Sequence, residues 1–122
     1  MSYRRKPLKM LARVLELSFS KQNQIQELVQ KSYDRISVDY DETWTGHMRN
    51  LTCGLIEKMD VQSGQSAIDL TCGTGFATGL IAEKTGAKVV GVDRSNGMLE
   101  QARENYSESC EFIQADILEY LE

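Results

Sequence analysis

Ala67-Ile68-Asp69-Leu70-Thr71-Cys72-Gly73-Thr74-Gly75 is the stretch on which the fold turns. Residues 67–70 read as a short buried strand, and Thr71 to Gly75 as a glycine-rich turn. Residues 76–84 then read as a helix that ends near Gly86. Lys88-Val89-Val90-Gly91-Val92 is a second strand, rich in β-branched residues. Ser95 or Asn96 caps a following helix that carries Met98, Leu99 and Ala102. Glu111-Phe112-Ile113-Gln114-Ala115 is a third strand, and Asp116 opens a short helix from Ile117 to Leu121. Strands alternating with helices imply βαβ units and a parallel sheet.

Residues 1–62 have a different texture. Pro7 suits the first turn of a helix with Leu8, Leu11, Val14 and Leu15 at helical spacing. A second helix is expected from about Asn23 to Ile36, with Ile25, Leu28, Val29 and Ile36 as its apolar positions. Tyr33, Tyr40 and Trp44 fall where that pattern loosens. A third helix is expected from about Thr43 to Met59, and Ser63-Gly64 separates it from the first strand. The expected organisation is therefore a helical segment, 1–62, and an α/β domain, 63–122.

Composition narrows the function. The 122 residues are 41% hydrophobic and 26% charged, ordinary for a globular domain. No run of about 18 apolar residues marks a membrane span. The net charge of −4 argues against a nucleic-acid partner. The basic residues crowd at the start, where Arg4, Arg5, Lys6, Lys9, Arg13 and Lys21 face only Glu16. They read as a solvated helix face or as a contact for an anionic membrane or an acidic partner. Cys53, Cys72 and Cys110 are odd in number and contain no CxxC, so neither zinc nor a disulfide framework is expected. Reduced thiols in the cytoplasm are the simplest reading, and Lys9, Arg13 and Glu16 interrupt any signal-peptide core.

A strand running into Gly73-Thr74-Gly75 and then a helix is a nucleotide-binding arrangement. Asp93 ends the second strand, at the spacing where a carboxylate accepts from ribose hydroxyls. Asp116 ends the third strand, so three acids line the carboxyl edge of one sheet. Asp69 discriminates between ligands. A carboxylate two residues before the turn repels a pyrophosphate and favours a cation such as an amino-acid ammonium.

With residues 67–75, Val89-Val90-Gly91-Val92-Asp93-Arg94-Ser95, Met98-Leu99, Ala102 and Gln114-Ala115-Asp116 in this order, the sequence resembles the class I S-adenosylmethionine-dependent methyltransferases over about residues 64–118. The resemblance implies a Rossmann-like, doubly wound α/β fold, here truncated to three parallel strands in the order 3-2-1. It implies that Asp69 and the backbone of Gly73, Thr74 and Gly75 hold the methionine part of the cofactor S-adenosylmethionine. Asp93 holds the ribose, and Asp116 the adenine amine, with the Ile117 amide near the ring. Thr71, Cys72, Arg94 and Met98 complete the implied cofactor set. Thr71 departs from the pattern, since the family often has glycine there. The implied acceptor is a small molecule, and Tyr33, Tyr40 and Trp44 are candidates for a lid or substrate wall.

Blander readings stand beside these. Asp116 also suits an N-cap, Cys72 a space filler, and His47 a surface or packing position. The three aromatics also suit packing onto the sheet. A dinucleotide-binding oxidoreductase fragment, using Gly73, Gly75, Gly79 and Asp93 for NAD, is an alternative, as is a non-catalytic interaction module. No catalytic base is assignable. The strand expected beside the first one is absent from the sequence, so residues 67–70 are expected to form an exposed edge through which the chain self-associates.

Overall fold

The computed structural model describes residues 6–122, with side chains from residue 12 onward. The chain divides into two compact units, Met1–Lys31 and Ser32–Glu122. The first contains most of one long helix, α1 (Lys6–Tyr40). The two separate helices expected before Ile36 are thus one, because residues 17–24 contain no glycine or proline to interrupt them. Local bonds decorate its surface. Ser18 Oγ donates to the Val14 carbonyl at 2.8 Å, and Lys31 pairs with Glu27 at 2.8 Å. Val14, Leu15, Leu17, Phe19, Ile25, Leu28 and Val29 are all exposed. Arg4 and Arg5, and the side chains of Lys6 and Lys9, lie outside the described residues.

In the second unit, α1 ends at Tyr40 and passes into a wide π-type turn, Asp41–Thr45, closed by the Gly46 amide donating to the Asp41 carbonyl. Helix α2 (Gly46–Lys58) comes next. Lys84 holds its last turn, its ammonium donating to the carbonyls of Ile56, Glu57 and Met59 at 2.8, 3.2 and 2.7 Å. A cation among orphan carbonyls at a helix C-terminus satisfies both the acceptors and the dipole.

The α/β part runs β1 (Ile68–Leu70), α3 (Phe76–Thr85), β2 (Val89–Asp93), α4 (Asn96–Tyr106), β3 (Cys110–Gln114) and α5 (Ile117–Leu121). The strands form one parallel sheet in the order β1-β2-β3, the 3-2-1 half expected from the sequence. Its register places Asp69 beside Gly91 and Gly91 beside Phe112. That row faces the core, where Ile56, Ile81, Ala82, Leu99, Ala102 and Phe112 pack together. Glycine at position 91 is a packing requirement. An added Cβ would lie 2.8 Å from the Phe112 ring and 2.9 Å from Cys72 Sγ.

Strand β1 is an edge. Among the described residues it pairs only with β2, and Ile68 and Leu70 are exposed, not buried as their composition suggests. The reason is the alternation of a strand. Asp69 faces the helices, where it accepts from Thr78 of α3, so its apolar neighbours face the other side of the sheet. Val90 and Ile113 are half-buried on that same side.

Candidate functional site

The site is built at the carboxyl end of β1. The glycine turn begins with Thr71 in the left-handed region at φ 64°, rare for a residue with a β-branch. Its hydroxyl donates to the Leu70 carbonyl at 2.5 Å. The next amide, of Cys72, donates to Val92 at 3.0 Å and so continues the sheet pairing into the turn. The two glycines do different work. At Gly73 (φ 55°) an added Cβ would meet nothing within 4 Å, so open space lies above that backbone. At Gly75 (φ 82°) it would lie 2.9 Å from Phe112, which makes that glycine a packing residue at the start of α3.

Asp69 and Asp93 flank the turn. Thr78 donates to Asp69 Oδ2 at 2.6 Å. Burial, opposed by that hydrogen bond and reinforced by the charge of Asp93, holds the Asp69 carboxyl above its usual range. The Asp93 carboxylate is held at both oxygens. Oδ2 accepts from the Gly73 amide at 2.8 Å, and Oδ1 accepts from the Ser95 amide at 2.9 Å. Cys72 sits behind them. Burial, with Asp93 and Asp69 next in weight, pushes its thiol up to about 12, so it is a proton-bearing space filler.

The other implied residues spread outward. Met98 is buried in α4, its amide donating to the Ser95 hydroxyl at 3.2 Å. Asp116 caps α5, accepting from the Leu118 amide at 2.9 Å, and its other oxygen lies 3.6 Å from Arg94. The N-cap reading of Asp116 is therefore realised, without using all its acceptor capacity. Ile117, half-buried, begins α5 beside it. His47 is exposed on α2.

The helical segment reaches the turn through residues that apolar patterning does not pick out. Thr74, buried, donates to Asp41 Oδ1 at 2.6 Å, and Thr45 donates to the same oxygen at 2.7 Å. Asp34 Oδ1 accepts from the Ser95 hydroxyl at 2.5 Å and from the Gly97 amide at 3.0 Å. Ser37, between them on the helix, is buried. The signal that could have found them is spacing: Asp34, Ser37 and Asp41 recur at i, i+3 and i+7, on one face of a helix.

Tyr40 and Trp44 stand over the turn. They line a cavity of about 240 Å³ together with Met48, Thr71, Gly73 and Phe76. A neighbouring cavity of about 280 Å³ is lined by Ser32, Tyr33, Ile36, Tyr40 and Trp44. The Tyr33 and Tyr40 rings are 6.2 Å apart and tilted. Burial, then the charges of Tyr33, Asp41 and Asp93, raise the Tyr40 phenol above its usual value. Met98, Asp116 and Ile117 line neither cavity. Among the described residues no group of His, Cys, Asp and Glu could hold a metal, and no helix is long and apolar enough to cross a membrane.

Three parallel strands, a glycine turn and acids at the strand ends define a Rossmann-like nucleotide-binding half. Residues 61–122 match the model of a methyltransferase-domain family, and the chain belongs to that family. It is 41% identical over 64 residues to a trans-aconitate 2-methyltransferase of Paracidovorax citrulli, covering 52% of this chain and 24% of that protein. It is 32% identical over 87 residues to a demethylmenaquinone methyltransferase of Shouchella clausii, covering 70% of this chain and 37% of that one. Its fold matches the DhpI–SAH complex with a TM-score of 0.62 at 22% identity, over 74% of this chain and 44% of the other. The chain thus spans less than half the length of each of these proteins.

Proposed function

We propose that residues 63–122 bind S-adenosylmethionine and that the protein transfers its methyl group to a small-molecule acceptor in the cytoplasm. The observation that carries this is the juxtaposition of Asp69, the open backbone at Gly73 and the fixed Asp93 carboxylate. The donor set suits the cofactor. A carboxylate has about four acceptor sites, and Asp93 uses one on each oxygen, so both remain able to accept from vicinal ribose hydroxyls. Asp69 offers a carboxylate to the ammonium, and Asp116 keeps acceptor capacity for an amine. Asp41, Asp69 and Asp93 together favour a cationic ligand over a pyrophosphate, which disfavours NAD.

When bound, the cofactor supplies a methyl group activated by its sulfonium. The chain's own contribution is to bind and orient it, and a well-placed pair of reactants needs little else. Tyr33, Tyr40 and Trp44 act as the lid and wall the acceptor side. The β1 edge takes up a further strand, in the isolated chain by self-association. Sedimentation of the isolated chain tests this last point, and a concentration-independent monomer refutes it.

Calorimetric titration with S-adenosylmethionine and with NAD tests the cofactor reading. Binding of the sulfonium nucleoside is expected. Asp93→Ala should weaken it by about 1–3 kcal/mol, the value of hydrogen bonds to a charged group. Binding of NAD alone, or an unchanged affinity in Asp93→Ala, overturns it.

A further inference from the structure

Asp93 is held at both carboxylate oxygens, and the groups that hold it are themselves tied to residues 32–45. On one side, the Ser95 amide donates to Asp93 Oδ1 while the Ser95 hydroxyl donates to Asp34. On the other, the Gly73 amide donates to Asp93 Oδ2 while its neighbour Thr74 donates to Asp41. Both contacts join residues far apart in sequence, and neither forms within a regular helix or sheet ladder. The Ser95 and Thr74 side chains are buried, where a missing acceptor is costly. The approach is close: a Cβ added at Gly97 would lie 2.9 Å from Asp34 Cα and 2.9 Å from Ser37 Oγ.

We propose that Asp34 and Asp41 are positioning residues that hold the Asp93 carboxylate from two sides, Asp34 through Ser95 and Asp41 through Thr74. The segment 32–45 is then more than a cover. Its docking sets the geometry of the glycine turn, and a ligand that engages Asp93 must in return stabilise the docked segment, because coupling between two sites is reciprocal. That second statement rests on the cofactor reading; the coupling through Ser95 and Thr74 does not.

Amide hydrogen exchange of the full chain, without ligand, tests the coupling. Asp34→Ala is expected to speed exchange in residues 70–76, which Asp34 does not touch, by about tenfold, the scale of one lost hydrogen bond to a charge. Residues 77–85 should stay near the wild-type rate. Asp34→Asn keeps an acceptor oxygen and should restore the turn to near wild type. Asp41→Ala should in turn speed exchange at residues 93–98. An unchanged turn in Asp34→Ala overturns the proposal, as does a uniform rise that includes residues 77–85, which marks a merely structural role. Equilibrium dialysis with S-adenosylmethionine adds a second readout. Weakened binding in Asp34→Ala with recovery in Asp34→Asn supports positioning, and equal affinities oppose it. A wild-type chain that binds no S-adenosylmethionine overturns the cofactor reading instead, and the exchange rates still decide the coupling.

Discussion

Replacing Gly97 by alanine sets two effects of opposite sign against each other. Gly97 lies in the first turn of α4, where alanine should stabilise an exposed helix by up to about 1 kcal/mol. Here the new Cβ would lie 2.9 Å from Asp34 Cα and 3.0 Å from the Asp34 carbonyl oxygen. Those are backbone atoms, so no rotamer change relieves the contact, and the α1 segment must move away. Movement breaks two hydrogen bonds to the Asp34 carboxylate, from the Ser95 hydroxyl and the Gly97 amide. At about 1.5–3 kcal/mol for each bond to a charged group, and less the propensity gain, the net loss is about 2–5 kcal/mol. Urea unfolding followed by circular dichroism measures it as a lower midpoint with an unchanged slope. In an Asp34→Ala background the same substitution should cost less, because the bonds it breaks are already gone. A Gly97→Ala chain that is more stable than wild type would refute the docking of residues 32–40 on α4.

Three residues of the site and its support, Asp69, Cys72 and Gly91, set the further outcomes. Burial raises the folded-state pKa of Asp69 above its ordinary 3.8, so its ionisation costs folding free energy above that raised value, and the cost vanishes as pH falls below the ordinary one. Asp69→Asn, which keeps an acceptor for Thr78, should therefore raise the thermal midpoint at neutral pH while weakening S-adenosylmethionine binding; a lower midpoint would contradict the burial argument. Wild-type cofactor affinity should also fall as pH drops through the raised pKa, and Asp69→Asn should flatten that dependence in calorimetry. With its thiol pushed up to about 12 and buried, Cys72 should resist iodoacetamide at neutral pH, while half-buried Cys53 is alkylated first, as read by peptide mass spectrometry. Gly91→Ala should destabilise the chain by about 1–3 kcal/mol through overpacking against Phe112 and Cys72, seen as a lower urea midpoint.

The α/β half was legible because its signals are local. Strand composition, the glycine turn and the cap at Ser95 each mark their own element, and the observed bounds of β2 and β3 differ from the expected ones by a single residue. The helical half was less legible for a physical reason. Apolar periodicity picked Ile25, Leu28, Val29 and Ile36 as the packing face, yet all four are exposed. The residues that dock are Asp34, Ser37 and Asp41, a polar stripe whose partners are a hydroxyl, an amide and a threonine on other elements. Hydrophobic pattern reports burial of carbon and is silent about a helix that docks through hydrogen bonds.

That polar contact fits the electrostatics of the site. A segment docked by apolar packing would hold equally well whatever charge lay beneath it. One docked by Asp34 and Asp41 adds two carboxylates beside the groups that hold Asp93, so it suits a cationic ligand better than an anionic one.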